Sequence, residues 1–220
     1  MKQITYIHFI LLLSIFISLS GSVFAQQKNN DAMIILNVAP MAMLDFFDGP
    51  SLRIGAEFKI KNTVFFALES GQYLRYLKST KINPSGYLIR PSIKKYFNGK
   101  DSSGKFIGIE YQYKNQHYDL KDSIGIFDMN YEKRYSMQRV IHAVVIKFGA
   151  MIPLTERFMI EWFCGIGIRH IRSYSSLTAE ENNAILFDSE CPIQKDFIRQ
   201  SGTHLFPDFR AGIKIGFKIK

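Results

Sequence analysis

From Asp208 to Ile219 the chain alternates without interruption: Phe209, Ala211, Ile213, Ile215, Phe217 and Ile219 interleave with Asp208, Arg210, Gly212, Lys214, Gly216 and Lys218. A period of two is the spacing at which side chains leave opposite faces of a β-strand, whereas a helical face recurs every 3.6 residues. Residues 51–60 repeat the pattern, setting Leu52, Ile54, Ala56, Phe58 and Ile60 against Arg53, Gly55, Glu57 and Lys59. Ile107, Ile109, Tyr111 and Tyr113 oppose Gly108, Glu110 and Gln112, and Ile160, Trp162, Cys164, Ile166 and Ile168 oppose Glu161, Phe163, Gly165, Gly167 and Arg169. Strands are predicted near residues 32–40, 51–60, 63–74, 86–97, 104–117, 137–151, 157–172 and 207–219, an even set of eight. The second, fourth and sixth gaps are short (Lys61–Asn62, Asn98–Ser103, Ile152–Glu156). The other gaps are longer, with residues 118–136 and 173–206 the longest.

Alternation alone fits two barrels of opposite sense, one with its charges in water and one with its charges inside. Three features select the second. Glycine shares the charged parity, as a narrow interior requires. Aromatics gather near strand ends (Tyr73, Tyr76, Tyr96, Phe97, Tyr111, Tyr113 and Phe158), as interfacial girdles do. Short turns alternate with long loops, the arrangement of outer-membrane barrels, whose short turns are periplasmic. A strand of about 11 residues, tilted near 45°, climbs roughly 25 Å, the height of their apolar band. The expected fold is all-β, an eight-stranded antiparallel up-and-down transmembrane β-barrel.

The start of the chain supports export. Lys2, an apolar run from Ile7 to Leu19 and the small-residue site ending at Ala25 predict a cleaved secretory signal over residues 1–25, with the barrel domain over 26–220. Gln26 follows where a lipoprotein would need cysteine. The net charge of the chain is +9, with Lys2 the only charge in the leader. For an exported chain, a basic balance points to anionic headgroups and lipopolysaccharide phosphates, with no nucleic-acid partner expected. Cys164 falls on an apolar strand and Cys191 in a loop, so no disulfide is expected.

On the membrane reading, Arg53, Glu57, Glu69, Arg90, Lys94, Glu110, Lys147, Glu161, Arg169, Arg210 and Lys214 project inward. Buried charges persist when paired and hydrogen-bonded. The expectation is therefore an ion network that closes the lumen rather than an open pore. Arg172 with Lys133 and Arg134 suggests a basic rim.

The segments GAEFKIKN (55–62), GYLIRPSIKKYF (86–97), GKFIGIEYQY (104–113), EWFCGIGIRH (161–170) and FPDFRAGIKIGFKI (206–219) resemble an uncharacterised outer-membrane β-barrel family, a domain of unknown function. It is similar in architecture to the small OmpA- and OmpX-type barrels. Its most specific pieces are Arg90-Pro91 before Tyr96-Phe97 and the Glu161-to-Arg169 run, and the resemblance implies fold and outer-membrane location without an activity. The chain ends Phe217-Lys218-Ile219-Lys220, without the terminal aromatic that many such barrels carry.

No catalytic residue, cofactor or metal site is expected, since His8, His117, His142, His170 and His204 are scattered without ligand spacing. The expected role is non-enzymatic, structural or in interaction, with outer-membrane lipid and lipopolysaccharide as neighbours and an extracellular partner surface on residues 118–136 and 173–206. Two alternatives stand beside it. One is a lipid A-modifying outer-membrane enzyme using His142, for which no partner serine and acid share its parity and height. The other is a periplasmic lipocalin-like carrier.

Overall fold

The computed structural model describes residues 33–44, 51–73, 81–97, 104–126, 129–186 and 201–219. They form strands β1 (Ile34–Val38), β2 (Ser51–Lys61), β3 (Val64–Tyr73), β4 (Ile82–Tyr96), β5 (Gly104–Ile126), β6 (Met129–Pro153), β7 (Phe158–Ser175), β8 (Ile185–Leu186) and β9 (Gly202–Ile219). A 3-10 turn (Pro40–Leu44) follows β1 and a short helix (Ala179–Asn183) precedes β8. The leader expected over residues 1–25, Tyr76 and Cys191 lie outside the described residues.

Neighbouring strands pair antiparallel from β1 through β7, β7 pairs with β9, and β9 returns to β1. The ring closes on eight strands as an up-and-down barrel, the arrangement that removes sheet edges. β1 is the narrowest stave: its five residues pair on both sides, Ile34 with Phe58 and with Ile219. The β6–β7 turn shows how local chemistry sets the register. Pro153, which has no N–H, ends the strand, and the Thr155 hydroxyl oxygen accepts from the Arg157 and Phe158 amides at 3.3 and 3.0 Å.

The all-β fold and the eight wall strands are as the alternation predicts. The two longest gaps need correction. Residues 118–136 are not a loop: β5 and β6 continue as one ladder from Tyr118↔Met137 up to Ile126↔Met129. The segment 173–206 is shortened at both ends, because β7 runs to Ser175 and Gly202 already pairs with Ser173. Its middle contributes the short helix and β8, which pairs with β5 at Ser123 and Ile124.

The reason these strand tops read as loop is an inversion of the pattern. Lower on β5, the outward residues Ile107, Ile109 and Tyr111 are apolar or aromatic, and the inward ones are Gly108, Glu110 and Gln112. Above Asn115 the outward residues are His117, Asp119 and Lys121, while inward Tyr118, Leu120 and Ile124 are buried. β6 switches at the same level, from outward Val144, Ile146 and Phe148 to outward Gln138, Ser136, Arg134 and Glu132. The inward side chains at the top form a small core of Tyr118, Leu120, Tyr135, Met137 and Ile185. One continuous hairpin thus follows lipid logic below and water logic above.

Candidate functional site

Eight strands enclose only enough room for their own side chains. A Cβ at Gly149 would meet the Phe106 ring at 2.7 Å, and one at Gly212 would meet the Phe163 ring at 2.8 Å. The missing side chains leave these rings their places inside the wall. Tyr96 joins them, with its ring centroid 5.1 Å from Phe65 and 5.4 Å from Phe106. This aromatic layer lies toward the short-turn end of the interior.

Above it sit the charges. Lys94 from β4 reaches Glu57 on β2 and Glu161 on β7, each at 2.5 Å, so one ammonium ties strands that do not touch in the wall. Glu69 pairs with Lys214 at 2.6 Å and with Arg90 at 3.3 Å. Glu110 pairs with Arg210 at 2.5 Å, with Arg90 at 3.9 Å and with Lys147. These pairs bring together nine of the inward residues named from the sequence, and Arg169 is paired as well. Arg53 is also buried and inward, and its Nε donates to the Ser51 hydroxyl at 2.9 Å.

Sequence reasoning left Asp208 out of that set, although it shares the parity of Arg210. It is buried and links Arg169 at 2.6 Å to Arg210 at 2.5 Å. Gln112, which accepts from Arg90 at 2.7 Å, was left out in the same way. Charged pairs at these distances, nearly all below one-tenth exposure, resist replacement by water. The arrangement can brace the wall and fill it.

The outer surface is the reverse. Leu52, Ile54, Ile93, Ile109, Ile146, Ile166, Phe209 and Ile215 are all exposed, on six strands of the ring, and Phe209 is 71% exposed. Of the expected girdle aromatics, Phe97, Tyr111 and Phe158 face outward, with Trp162 and Tyr87 beside them. Tyr73 and Tyr96 do not: both are buried inward, because they share the parity of the interior residues on β3 and β4. His142 is outward, as its parity requires. Its Nδ1 lies 2.7 Å from the Tyr111 hydroxyl, and its ring is edge-on to Tyr113 at 5.3 Å. His170 is its cross-strand partner on β7, with centroids 6.5 Å apart. Sequence spacing, 28 residues apart, concealed this neighbourhood.

At the top, Lys133 and Arg134 do not form a free basic rim with Arg172. Lys133 pairs with Glu181 at 2.5 Å and Arg134 with Asp119 at 2.7 Å. Glu181 is also the third residue of the short helix, bonded reciprocally with Thr178 in a capping box and accepting from the Tyr131 hydroxyl at 3.0 Å. The Lys133 hydrogen bond and then the Thr178 amide hold the Glu181 carboxyl down at about 2, from 4.5. A depressed carboxyl stabilises the folded form above its unfolded pKa, and that contribution fades as pH falls through the folded value. Amide exchange at Asn182 and Ala184, corrected for its intrinsic rate, is thus expected to lose protection between about pH 4.5 and 2. Glu181→Gln is expected to show the weaker protection already at neutral pH; an unchanged pH profile in that variant would refute the assignment.

A family model described as a protein of unknown function, DUF3575, matches residues 9–187. No curated protein matches. Among solved structures, the chain is similar to the N-terminal β-barrel domain of Pseudomonas aeruginosa OprF. The identity is 13%, the match covers 86% of this chain and 96% of that one, and the TM-score is 0.36.

Proposed function

The chain belongs to the DUF3575 family, which carries no activity with it, and from the structure we propose that it is a non-enzymatic outer-membrane β-barrel, a sealed wall that holds a folded platform outside the cell. The observation that carries this reading is the inversion of faces within β5 and β6. Apolar residues face out around the lower wall, with charges paired within; the same two strands then turn their polar residues out and bury Tyr118, Leu120 and Tyr135. A barrel wholly in water has no reason to invert, since its outer face stays wet along its whole length. A lipocalin-like carrier would moreover keep an open apolar cavity for its cargo, whereas here paired charges fill the middle of the interior.

On this reading the leader at residues 1–25 is removed on export. The short turns after β2, β4 and β6 face the periplasm, and the β5–β6 hairpin, the short helix and β8 face outward. The platform is then a braced surface, and an extracellular partner would meet a fixed shape instead of two mobile loops. The aromatic layer and the ion pairs occupy the interior, which supports a lumen closed to solutes.

The test is membrane fractionation with an unheated electrophoresis gel, followed by planar-bilayer recording. The expected protein sediments with outer membranes, migrates faster before boiling than after, and gives no steady conductance. A soluble protein without a mobility shift would overturn the membrane reading, and a stable conductance would overturn the sealed interior.

A further inference from the structure

Three chemical zones follow one another up the outer face of β5, β6 and β7. In the belt, Val144, Ile166 and Ile168 are exposed and apolar. Above them come the adjoining rings of His142 and His170, then Arg172, outward on β7 two residues beyond His170. Next is Tyr174, 57% exposed, standing between two open hollows of ≈ 470 and ≈ 430 Å³ with mixed polar and apolar walls. Asn182, Asn183, Ser201 and Thr203 line the first hollow with Arg172, and Ser85, His117, Asp119, Ser136 and Gln138 line the second.

We propose that this strip binds one anionic glycolipid, with acyl chains on the belt, a phosphate at His142, His170 and Arg172, and a sugar against Tyr174. The inference rests on the outer-membrane reading above and names the lipid that reading would meet. Charge selects the phosphate position. Lys121, Lys133 and Arg134 are each tied to a carboxylate, Glu132, Glu181 and Asp119 respectively. Arg172 has no ion-pair partner among the described residues, and it stands at the level where the outer face changes from apolar to polar. Its planar fork suits a phosphate, and the His142 ring, held 2.7 Å from the Tyr111 hydroxyl through Nδ1, has its Nε2 left to meet a ligand. An aromatic face beside amides and hydroxyls supplies both contacts a sugar ring needs, apolar and hydrogen-bonded. Such a lipid carries its acyl chains below a phosphorylated sugar, and here the apolar belt lies below Arg172 and Tyr174 in the same order.

Native mass spectrometry of the full barrel in detergent micelles tests this, with bisphosphorylated lipid A, its dephosphorylated form and phosphatidylglycerol as probes. One lipid A is expected to bind about tenfold tighter than either of the others, and His170→Ala/Arg172→Ala to lose about that factor. Tyr174→Ala is expected to weaken lipid A and leave phosphatidylglycerol unchanged. Equal binding by the double variant and the parent, or by phosphatidylglycerol and lipid A, overturns the proposal. All of these side chains point away from the interior. Should the alanine pair fail to give the heat-dependent gel shift, His170→Gln/Arg172→Gln is read in its place. A parent that shows no shift fails the outer-membrane reading itself, whereas a shifting parent with no lipid preference fails this inference alone.

Discussion

Lys94→Met is expected to destabilise the barrel by about 3–5 kcal/mol, read as a fall in the urea midpoint of unfolding in phosphatidylcholine vesicles. The side chain is fully buried, and its ammonium meets two carboxylates from β2 and β7 while lying 4.9 Å above the Phe106 ring. Methionine fills nearly the same volume, so the variant removes charge and hydrogen bonds without opening a large cavity. What remains is the costly part. Glu161 Oε2 loses its donor while Oε1 already has none among the described residues, and Glu57 Oε1 is left with the amide of Asn37 at 3.3 Å. The two buried carboxylates, which face each other, then lose the ammonium that bonds to both and keep Lys214 as a less direct counter-charge. The diagnostic variant is Glu57→Gln/Lys94→Met/Glu161→Gln, which removes all three charges. It is expected to recover most of the loss, because the penalty comes from stranded charge and not from any large net gain in forming the triad. A single variant within about 1 kcal/mol of the parent would mean that water reaches Lys94, as at an exposed ion pair, and the interior would then be wet.

The parity of the wall was legible in the sequence because strand periodicity is a property of the backbone and the cost of charge in lipid makes it strict. Arg53, Glu57 and Lys59 on one strand, or Asp208, Arg210 and Lys214 on another, can share only the inner face. The strand tops were not legible for a related reason. In Tyr118–Ile126 and Met129–Met137 the alternation persists but its sense is inverted, so charged residues at the outward positions mimic a solvated loop. Tyr73 and Tyr96 misled in another way: an aromatic near a strand end suggests a girdle, yet its parity decides which side it faces. Partners were harder than faces. Lys94 bridging Glu57 and Glu161, or His142 beside His170, depends on register and closure, which no single strand encodes. The turn at Pro153–Phe158 fixes one such register, since Pro153 opposite Met159 places His142 opposite His170 along the ladder.

Ile146→Arg separates lipid from water on the outer wall most sharply. Ile146 is 45% exposed, lies midway along the outward apolar run of β6, and has Ile109 and Ile166 as cross-strand partners. In a soluble barrel an arginine at such a half-exposed position extends into solvent, and the cost stays within about 0.5 kcal/mol, as for most surface substitutions. In a bilayer it sits at mid-depth, where arginine on the lipid face costs roughly 2–4 kcal/mol. Depth supplies the internal control. Gln138→Arg occupies the same face of β6 eight residues nearer the polar top, where the penalty falls to about 0–1 kcal/mol. The expected result is a large loss of unfolding free energy for Ile146→Arg in vesicles and a small one for Gln138→Arg. Equal, small losses would place the apolar belt in water or against another protein. The inversion of faces along β5 and β6 would then mark a protein–protein contact instead of a bilayer.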